Sequence, residues 1–262
     1  MRFQISELRL TFFRRLNMNT QISWLGIGLL IISLSSCRED GDLTFHDSFE
    51  YYDVGSAPLG PWSTEGNGLV KVDTMKSFSG KQSIYFESGE GFEERAFLRL
   101  EGTPLFPFMY NRITGSFQIW LEEASPDGIH WTMIQAVGPV REQGYSSEIR
   151  YGGQHNKQLM ANYDTDGKNT DCWQHSLTSI PEKEWVKIAW MFDGNNNQMK
   201  FWMNDSLVDD LTVQGQGQGC LSNELKGQWI FPVFEEMMIG WVDYQTGGGT
   251  RKFWIDDVKF YQ

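Results

Sequence analysis

The chain has 262 residues and a formal net charge of −12, and aromatic residues make up 15% of it. A hydrophobic content of 40% supplies an ordinary core, which excludes a disordered chain. No cluster of Lys and Arg offers the basic surface that nucleic-acid binding needs, so we expect no nucleic-acid partner. The aromatic excess on a glycine-rich chain is instead typical of β-sandwiches that bind sugars against ring faces.

The N-terminal segment carries a short apolar run. Residues 24–34 are uncharged and mostly apolar, two adjacent arginines precede them, and two serines lead from them to Cys37. The run is too short to span a bilayer, which takes about 20 apolar residues. The pattern resembles a bacterial lipoprotein signal peptide, which implies removal of residues 1–36 and lipid modification of Cys37. An uncleaved signal anchor is the alternative, and either Met1 or Met18 can be the start.

Residues 37–42 form an acidic tether directly after the predicted cleavage point. The tether resembles the export signal by which lipoproteins of the Bacteroidetes reach the outer cell surface. We therefore expect an outer-membrane lipoprotein that is exposed at the cell surface and held in the membrane by lipid on Cys37. An ordinary polar linker is the alternative. Removal of the leader takes away four Arg and one Glu, so the exported part is more acidic than the whole chain.

Two further cysteines, Cys172 and Cys220, lie in the exported part. An even number of cysteines in an exported domain predicts a disulfide between them. In the chain-entropy model, closing a loop of roughly fifty residues contributes on the order of 4 kcal/mol to the free energy of unfolding.

Residues 43–262 alternate apolar and polar side chains, with Gly, Asn, Asp and Pro between the alternating stretches. This pattern predicts a single all-β domain made of two antiparallel sheets, and no stretch predicts an amphipathic helix of three turns. The predicted strands are 43–49, 69–72, 82–87, 94–99, 112–122, 130–137, 147–151, 157–162, 185–192, 198–203, 206–213, 236–241 and 252–260. Asn- and Asp-rich segments at 193–197 and 203–206 predict hairpin turns.

Three segments at the two ends of this domain resemble those of concanavalin A-like β-jelly-roll carbohydrate-active domains. They are 46–50 (HDSFE), 79–83 (SGKQS) and 253–258 (FWIDDV). The resemblance implies that the first and last strands lie side by side with a structural Ca²⁺ between them. Oxygen ligands from remote segments suit this ion. We expect Glu50 and Ser79 to contribute, with Asp257 favoured over Asp256, whereas two acids on an exposed edge are the alternative.

The middle of the chain resembles a second, narrower family. The segments are 148–153 (EIRYGG), 159–163 (LMANY), 172–176 (CWQHS) and 185–194 (WVKIAWMFDG). They are similar to the core of the secreted fungal cellulose-induced protein and its bacterial relatives, whose fold is related to that of glucuronan and alginate lyases. The resemblance implies a jelly roll with a cleft on its concave face and a proposed lyase activity on uronic-acid polymers.

β-Elimination from such a polymer needs a group that neutralises the substrate carboxylate and a base that removes the adjacent proton. Arg150 can bind a carboxylate through two donors, and alternation places Glu148 on the same face of its strand. We expect both in the catalytic site, and a surface ion pair between them is the alternative. The possible bases are His130, His155, Tyr151 and Tyr163, and Tyr151 faces opposite to Arg150. We expect His130 or Tyr163 to act as the base.

Sugar-binding side chains are expected on neighbouring strands, where Trp side chains offer stacking surfaces and polar or charged ones offer hydrogen bonds. Two of the expected residues are tryptophans, for which simple burial in the core is the alternative. The residues expected to bind the polymer are Gln118, Trp120, Asn162, Lys187 and Trp202.

The sequence thus predicts an exported, lipid-anchored, monomeric protein that binds polysaccharide, with lyase activity as a further hypothesis. The acidic charge disfavours a polyanionic substrate, because the field of the whole protein repels it. Binding is therefore better supported than catalysis. A structural or adhesion lipoprotein without catalytic activity is the alternative.

Overall fold

The structure is a computed structural model, and it describes residues 41–102 and 105–262. The predicted signal peptide, the lipidation site Cys37 and the first residues of the tether lie outside the described residues. Within the described part of the chain, no helix is long and apolar enough to cross a membrane.

The described residues fold almost entirely into strands, as their alternating side chains predict. In chain order the strands are β1 (Leu43–Asp47), β2 (Ser63–Glu65), β3 (Leu69–Asp73), β4 (Ser83–Ser88), β5 (Ala96–Glu101), β6 (Arg112–Leu121), β7 (Trp131–Pro139), β8 (Ser146–Gly153), β9 (Gln158–Asp166), β10 (Thr170–Ser179), β11 (Trp185–Asp193), β12 (Gln198–Met203), β13 (Ser206–Leu207), β14 (Val213–Gln214), β15 (Gly219–Asn223), β16 (Glu236–Asp243) and β17 (Arg251–Tyr261). Single-turn 3-10 helices occupy Phe92–Glu94, Met109–Asn111, His155–Lys157 and Asp209–Leu211. Neither of the described segments, 41–102 and 105–262, contains an α-helix.

The strands form two antiparallel sheets. The first sheet has the order β13-β12-β11-β6-β17-β4-β3, with β1 paired to β17 and β14 paired to β12. The second sheet has the order β15-β10-β9-β8-β7-β16-β5-β2. Many neighbours in these sheets, such as β6 and β17, are far apart in the chain, so long connections pass from one sheet to the other. This arrangement is a β-jelly-roll sandwich, which confirms the predicted fold class.

The core lies between the facing sides of the two sheets. Phe117 of β6 faces it from the first sheet, while Ile149 and Tyr151 of β8 face it from the second, and all three are buried. Trp131 and Trp241 stack there with ring centroids 4.2 Å apart. Burial of one large apolar side chain contributes about 1.5–3 kcal/mol. Because side chains alternate along a strand, the residues between these core positions lie on the outer faces of the sandwich.

The predicted hairpin turns are present. Asn204 and Asp205 connect β12 to β13 with φ values of 48° and 64°, and Asn197 has φ 49° between β11 and β12. Asn and Asp tolerate this left-handed backbone because their short polar side chains form local hydrogen bonds. The turn chemistry therefore sets the order of strands along one edge of the first sheet.

The predicted strand 206–213 is wrong in part, because a 3-10 helix at Asp209–Leu211 separates β13 from β14. The Asp210 carboxylate accepts hydrogen bonds from the Ser176 hydroxyl at 2.7 Å and from the Leu177 amide at 2.9 Å. These contacts tie the segment to β10, so it cannot continue in the ladder beside β12. Sequence alternation does not reveal such a side-chain link. The strands β2, β10 and β15 were not predicted either.

Cys172 and Cys220, the predicted pair, are joined by a disulfide. Cys172 lies on β10 and Cys220 lies on the edge strand β15, with their Cα atoms 3.9 Å apart. The bond attaches the edge of the second sheet to its interior. It therefore holds the edge strand β15 against β10, at one end of the outer face of the second sheet.

Candidate functional site

The outer face of the second sheet carries the candidate site, and we call it the cleft face. Glu148 and Arg150 of β8 point to this face, while Ile149 between them points to the core. The ion pair between Arg150 and Glu148 confirms that the two side chains share one face, and it is also the contact that the alternative interpretation expected. Since the pair sits on a central strand, neighbouring strands surround it on both sides.

Arg150 is the centre of this face and is only 7% exposed. Its guanidinium donates to the Asn162 side-chain oxygen at 2.7 Å and to the Glu148 carboxylate, and it lies 3.5 Å from the Asp164 carboxylate. Its buried Nε has no hydrogen-bond partner among the described residues. A buried donor without a partner is costly. Asn162, one of the residues expected to bind the polymer, thus contacts Arg150.

Gln135 on β7 pairs with Arg150 across the sheet and donates a hydrogen bond to Glu148. A cavity of about 160 Å³ opens in front of these side chains. Its lining residues are Glu65, Phe92, Arg95, Phe97, Gln135, Glu148, Arg150, Met238, Val242 and Tyr244. The cavity places apolar side chains and charged groups around one buried guanidinium, as a ligand pocket requires.

His130 and Tyr244 lie at one side of Arg150. Their ring centroids are 4.6 Å apart, and the Arg150 guanidinium carbon lies 5.7 Å from the centroid of the Tyr244 ring. Burial, together with the smaller effects of the charges of Arg150 and His175, lowers the pKa of His130 to about 4. His130 is therefore neutral at neutral pH, and its buried Nε2 has no hydrogen-bond partner in the described part of the chain. A neutral imidazole can accept a proton.

His175 and Trp173 continue the cleft face on β10. Trp173 pairs with Asn162 and His175 pairs with Met160 of β9. Burial lowers the pKa of His175, and the nearby His155 adds to the effect. Trp173 is only partly buried, so its ring is available at this end of the face.

Tyr163 is not part of this site, so its prediction as a base is wrong. It is fully buried, stacks on Trp229 at 5.6 Å and donates its hydroxyl to the Ile230 carbonyl. Tyr163 pairs with Ile149, which also faces the core. Because adjacent residues of a strand point to opposite sides, Tyr163 and Asn162 cannot both reach Arg150.

Four of the residues expected to bind the polymer lie on the other side of the molecule. They face outward from the first sheet, whereas Arg150 faces outward from the second. The four are Gln118, Trp120, Lys187 and Trp202. Alternation correctly predicted that each side chain points outward, but the expectation that they share a cleft with Arg150 is wrong. The thickness of the sandwich separates the two groups.

We call this outer face of the first sheet the tryptophan face, after Trp120, Trp185, Trp202 and Trp254. Trp185, Trp120 and Trp254 pair in one row across three strands. The Lys76 ammonium lies 4.3 Å from the Trp120 ring centroid and 5.0 Å from that of Trp254. The loop that carries Lys76 therefore partly covers the tryptophan face and occupies the surface of its central rings.

The segments predicted to hold calcium meet at the loop 78–82, over the first sheet. Glu50 accepts hydrogen bonds from the amides of Lys81 at 2.8 Å and Gln82 at 3.0 Å. Asp256 accepts from the amides of Phe78 at 2.8 Å and Ser79 at 2.9 Å. Among the described residues, no group of three His, Cys, Asp or Glu side chains could hold a metal ion.

Asp256, and not the favoured Asp257, contacts the Ser79 segment. The register of β17 shifts between Asp256 and Lys259, and Asp257 has φ 51°. Such a bulge adds one residue to the strand and breaks strict alternation. The Asp257 carboxylate instead lies 3.1 Å from His46 of β1. Burial raises the pKa of Asp256 to about 6.

Sequence reasoning missed Gln135, Tyr244 and Trp173. Gln135 is a polar residue between Ile134 and Ala136, and both of those face the core, so alternation along β7 carries the signal. Tyr244 follows the last residue of β16, beyond the end of the predicted strand 236–241. Its side chain contacts His130 at the cleft. That contact depends on tertiary structure and has no local signal.

Comparison with known proteins agrees with this fold. A family model described as the Cip1-like core domain of the polysaccharide-lyase-like proteins matches residues 49–262. The solved structure of a cellulose-induced protein, Cip1, is similar with a TM-score of 0.59 and 21% identity, covering 82% of this chain and 96% of that chain. An endo-beta-1,4-glucuronan lyase from the fungus Trichoderma reesei has a TM-score of 0.53 and 13% identity, covering 84% and 96% respectively.

These two structures share the fold of this chain, and no curated protein sequence gives a significant match. The family model covers most of the chain, including every residue of the cleft face described above. The chain therefore belongs to the Cip1-like family of polysaccharide-lyase-like core domains.

Proposed function

We propose that this protein binds an acidic polysaccharide on the cleft face and cleaves it by β-elimination. The observation that carries the proposal is the buried Arg150, whose Nε lacks a partner among the described residues, beside the neutral His130. Membership of a polysaccharide-lyase-like family and the fold shared with a glucuronan lyase support the same conclusion.

Arg150 would neutralise the carboxylate of one uronic-acid residue. The N–H groups of its guanidinium that Asn162 and Glu148 do not use can donate to carboxylate oxygens. Gln135, next to it on the sheet, adds a further donor. Because Arg150 is buried, its charge acts at low dielectric and stabilises the enolate that forms when the adjacent carbon loses its proton.

His130 would act as the base. Its Nε2 takes the proton from the carbon next to the carboxylate, and the electron pair of that C–H bond forms the new carbon–carbon double bond. The bond to the glycosidic oxygen breaks, and the leaving oxygen takes the electron pair of that bond and a proton from the Tyr244 hydroxyl. Tyr244 is hydrogen-bonded to Thr132 at 3.2 Å, which positions it. Each atom and electron pair is accounted for without a further reactant.

Binding without cleavage is the second candidate, favoured by one specific observation. Glu148 is already paired with Arg150, so a substrate carboxylate competes with a resident one. A structural or adhesion lipoprotein is the further alternative if no glycan binds. Anchoring through lipid on Cys37 belongs to the same proposal, and loss of fatty-acid labelling in Cys37→Ser would support it, whereas retained labelling would contradict it.

We also propose a structural calcium ion at the loop 78–82. Carboxylates and loop carbonyls form the all-oxygen donor set that Ca²⁺ takes. Glu50 and Asp256 reach this loop from the two ends of the domain. Burial raises the pKa of Asp256, and a bound cation would stabilise its charged form. Glu50, Asp256 and loop oxygens would hold the ion, and the ion would supply charge compensation that joins the chain ends.

The proposed elimination is tested by incubating the protein with polymers of uronic acids and following the ultraviolet absorbance of the unsaturated product. The wild type should form product, and Arg150→Ala should lower the rate by about 10²–10³-fold. Arg141→Ala, outside the cleft, is the control and should keep the rate. Absence of product with every polymer, together with specific glycan binding, would leave the binding function in its place.

A further inference from the structure

The cleft face is built in rows that cross the second sheet, and the register of the strands defines them. One row consists of six residues, one on each of six neighbouring strands, each paired with the next across the sheet. In order they are Arg99, Met238, Gln135, Arg150, Asn162 and Trp173. Neighbouring strands are about 4.8 Å apart, so this central row is roughly 24 Å long. A polymer laid along it would pass both Arg99 and Arg150.

A second row runs beside the central row, two residues along each strand and therefore roughly 7 Å away. It is defined by the same registers and contains five carboxylates and one apolar residue. In order across the strands they are Glu101, Glu236, Val137, Glu148, Asp164 and Asp171. A polymer on the central row would thus have an acidic row along its whole length.

Two arginines of this face, Arg95 and Arg99, are already paired with carboxylates of the protein. Arg99 lies 2.6 Å from Glu101, 2.5 Å from Glu236 and 3.8 Å from Glu65. Arg95 lies 2.6 Å from Glu65. These arginines therefore hold resident carboxylates, and a substrate carboxylate beside them would meet negative charge in excess.

Arg150 differs from these arginines in burial and in hydrogen bonding. The Arg150 side chain is 9% exposed, against 31% for Arg99. Arg150 also has a buried Nε without a partner in the described part of the chain, and the uncharged side chains of Gln135 and Asn162 flank it in the row. The face therefore offers one position for a carboxylate, between positions that suit uncharged groups.

We propose that the preferred substrate carries a uronic acid at one position with uncharged sugars on both sides, so that its charge density is lower than that of a homopolymer of uronic acid. This inference rests on the proposed function of the cleft face. A homopolymer places a carboxylate at each position, next to Glu101, Glu236 and Arg99 on one side and next to Asp164 and Asp171 on the other. Repulsion at these positions acts against it, and the net charge of −12 adds to the effect.

A cavity of about 1020 Å³ adjoins the central row at Arg99 and extends past the acidic row toward Pro139 and Ser146. Glu101, Glu235 and Glu236 line it together with Arg99. The carboxylates outnumber the arginine, so this part of the path also favours uncharged sugars. Carboxylates therefore line the surface beyond the positions next to Arg150 as well.

The experiment compares native glucuronan with glucuronan in which about half of the carboxyl groups have been reduced to alcohols. The two polymers share the same linkage and differ in charge density. Both cleavage, followed as unsaturated product, and binding, followed by calorimetry, are measured at low and high salt. We expect the half-reduced polymer to be bound about tenfold more tightly and to be cleaved faster, with the preference reduced at high salt.

The outcomes separate the two proposals. Equal or tighter binding of native glucuronan would overturn the substrate inference, whether or not cleavage occurs. Tighter binding of the half-reduced polymer without product from either would keep the inference and overturn the lyase activity. Absence of binding and cleavage with both polymers would overturn both proposals.

A pair of variants tests the acidic row itself. Glu101→Gln with Glu236→Gln releases Arg99 and should tighten native glucuronan binding several-fold more than binding of the half-reduced polymer. Glu87→Gln with Glu122→Gln makes the same charge change on the outer face of the first sheet and is the matched control. Equal effects of the two pairs would contradict a local role for the row. Thermal melts of both pairs check that they fold.

Discussion

The two outer faces of this sandwich differ in a way that bears on how binding sites are recognised. The tryptophan face has more aromatic side chains, but Lys76 lies over the rings of Trp120 and Trp254. The cleft face has fewer aromatic rings, but it holds a buried arginine and a buried imidazole nitrogen without partners among the described residues. Both faces carry a buried nitrogen without a partner in the described part of the chain, since Trp120 Nε1 also lacks one. Aromatic content favours the first face, whereas a buried guanidinium beside a neutral imidazole favours the second. We infer that the second criterion locates the site.

The largest expected effect concerns His130. His130→Gln should lower the rate of elimination by about 10²–10⁴-fold, because the variant lacks the base. A change of the same kind on the opposite sheet, Lys252→Gln, should leave the rate unaltered. A rate for His130→Gln within a few-fold of wild type would exclude His130 as the base and would leave Tyr244 as the candidate.

On the acid side, the rate of elimination by the wild type should fall as His130 becomes protonated. The pKa of His130 is lowered to about 4 in the folded protein, so the imidazole stays neutral and active until the pH falls near that value. The unfolded chain binds this proton near pH 6.5. Stability contributed by neutral His130 is therefore complete above about pH 6.5 and is lost as the pH falls through 4. His130→Gln should show a smaller loss of stability over this range in acid-dependent unfolding curves.

The disulfide supports the edge of the cleft face. Cys172→Ser with Cys220→Ser should lower the free energy of unfolding by about 4 kcal/mol, because the unfolded chain regains the freedom of the closed loop. Denaturant midpoints of the variant and of the reduced wild type should agree. An unchanged midpoint would show that the β10–β15 contact is held by other interactions.

Calcium would act on the opposite side, where the loop 78–82 covers the first sheet. A chelator should lower the melting temperature, since an ion present at 100 times its Kd contributes about 2.7 kcal/mol. Asp256→Asn should abolish the response, while Asp257→Asn should keep it because Asp257 contacts His46. A melting temperature that ignores both chelator and added calcium would overturn the calcium proposal.

The smallest expected effect concerns aromatic contacts with sugars. Trp173→Ala on the cleft face should weaken polymer binding about tenfold, equivalent to about 1.4 kcal/mol. Trp202→Ala on the tryptophan face is the matched control and should leave the Kd unchanged. Equal losses in the two variants would show that both faces contact the polymer.

Alternation in the sequence predicted which side chains point outward but not which sheet they belong to. Glu148 and Arg150 share a face because they are two residues apart on one strand, and this is a local property. The separation of Trp120 from Arg150 depends on pairing between remote strands, such as β6 with β17, which local periodicity does not encode. The bulge at Asp257 likewise explains why Asp256, and not Asp257, contacts the Ser79 segment, because an added residue shifts the alternation.

Alternation, applied fully, could have excluded Tyr163. It follows Asn162 directly, so only one of the two can face Arg150, yet both were expected in the site. Tyr244 could not have been found in this way, because its position depends on where β16 ends and on its packing against His130. The sequence therefore predicted Arg150, Glu148 and Asn162, but not Gln135 on the adjacent strand or the groups that tertiary contacts bring to Arg150.

The most direct test of the account compares the two faces in one assay on a single cleavable polymer. Arg150→Ala represents the cleft face, and the double variant Trp120→Ala with Trp202→Ala represents the tryptophan face, with unsaturated product as the readout. The account predicts loss of product for Arg150→Ala and a rate near that of wild type for the double variant. Product formation by Arg150→Ala, together with its loss in the double variant, would contradict the account.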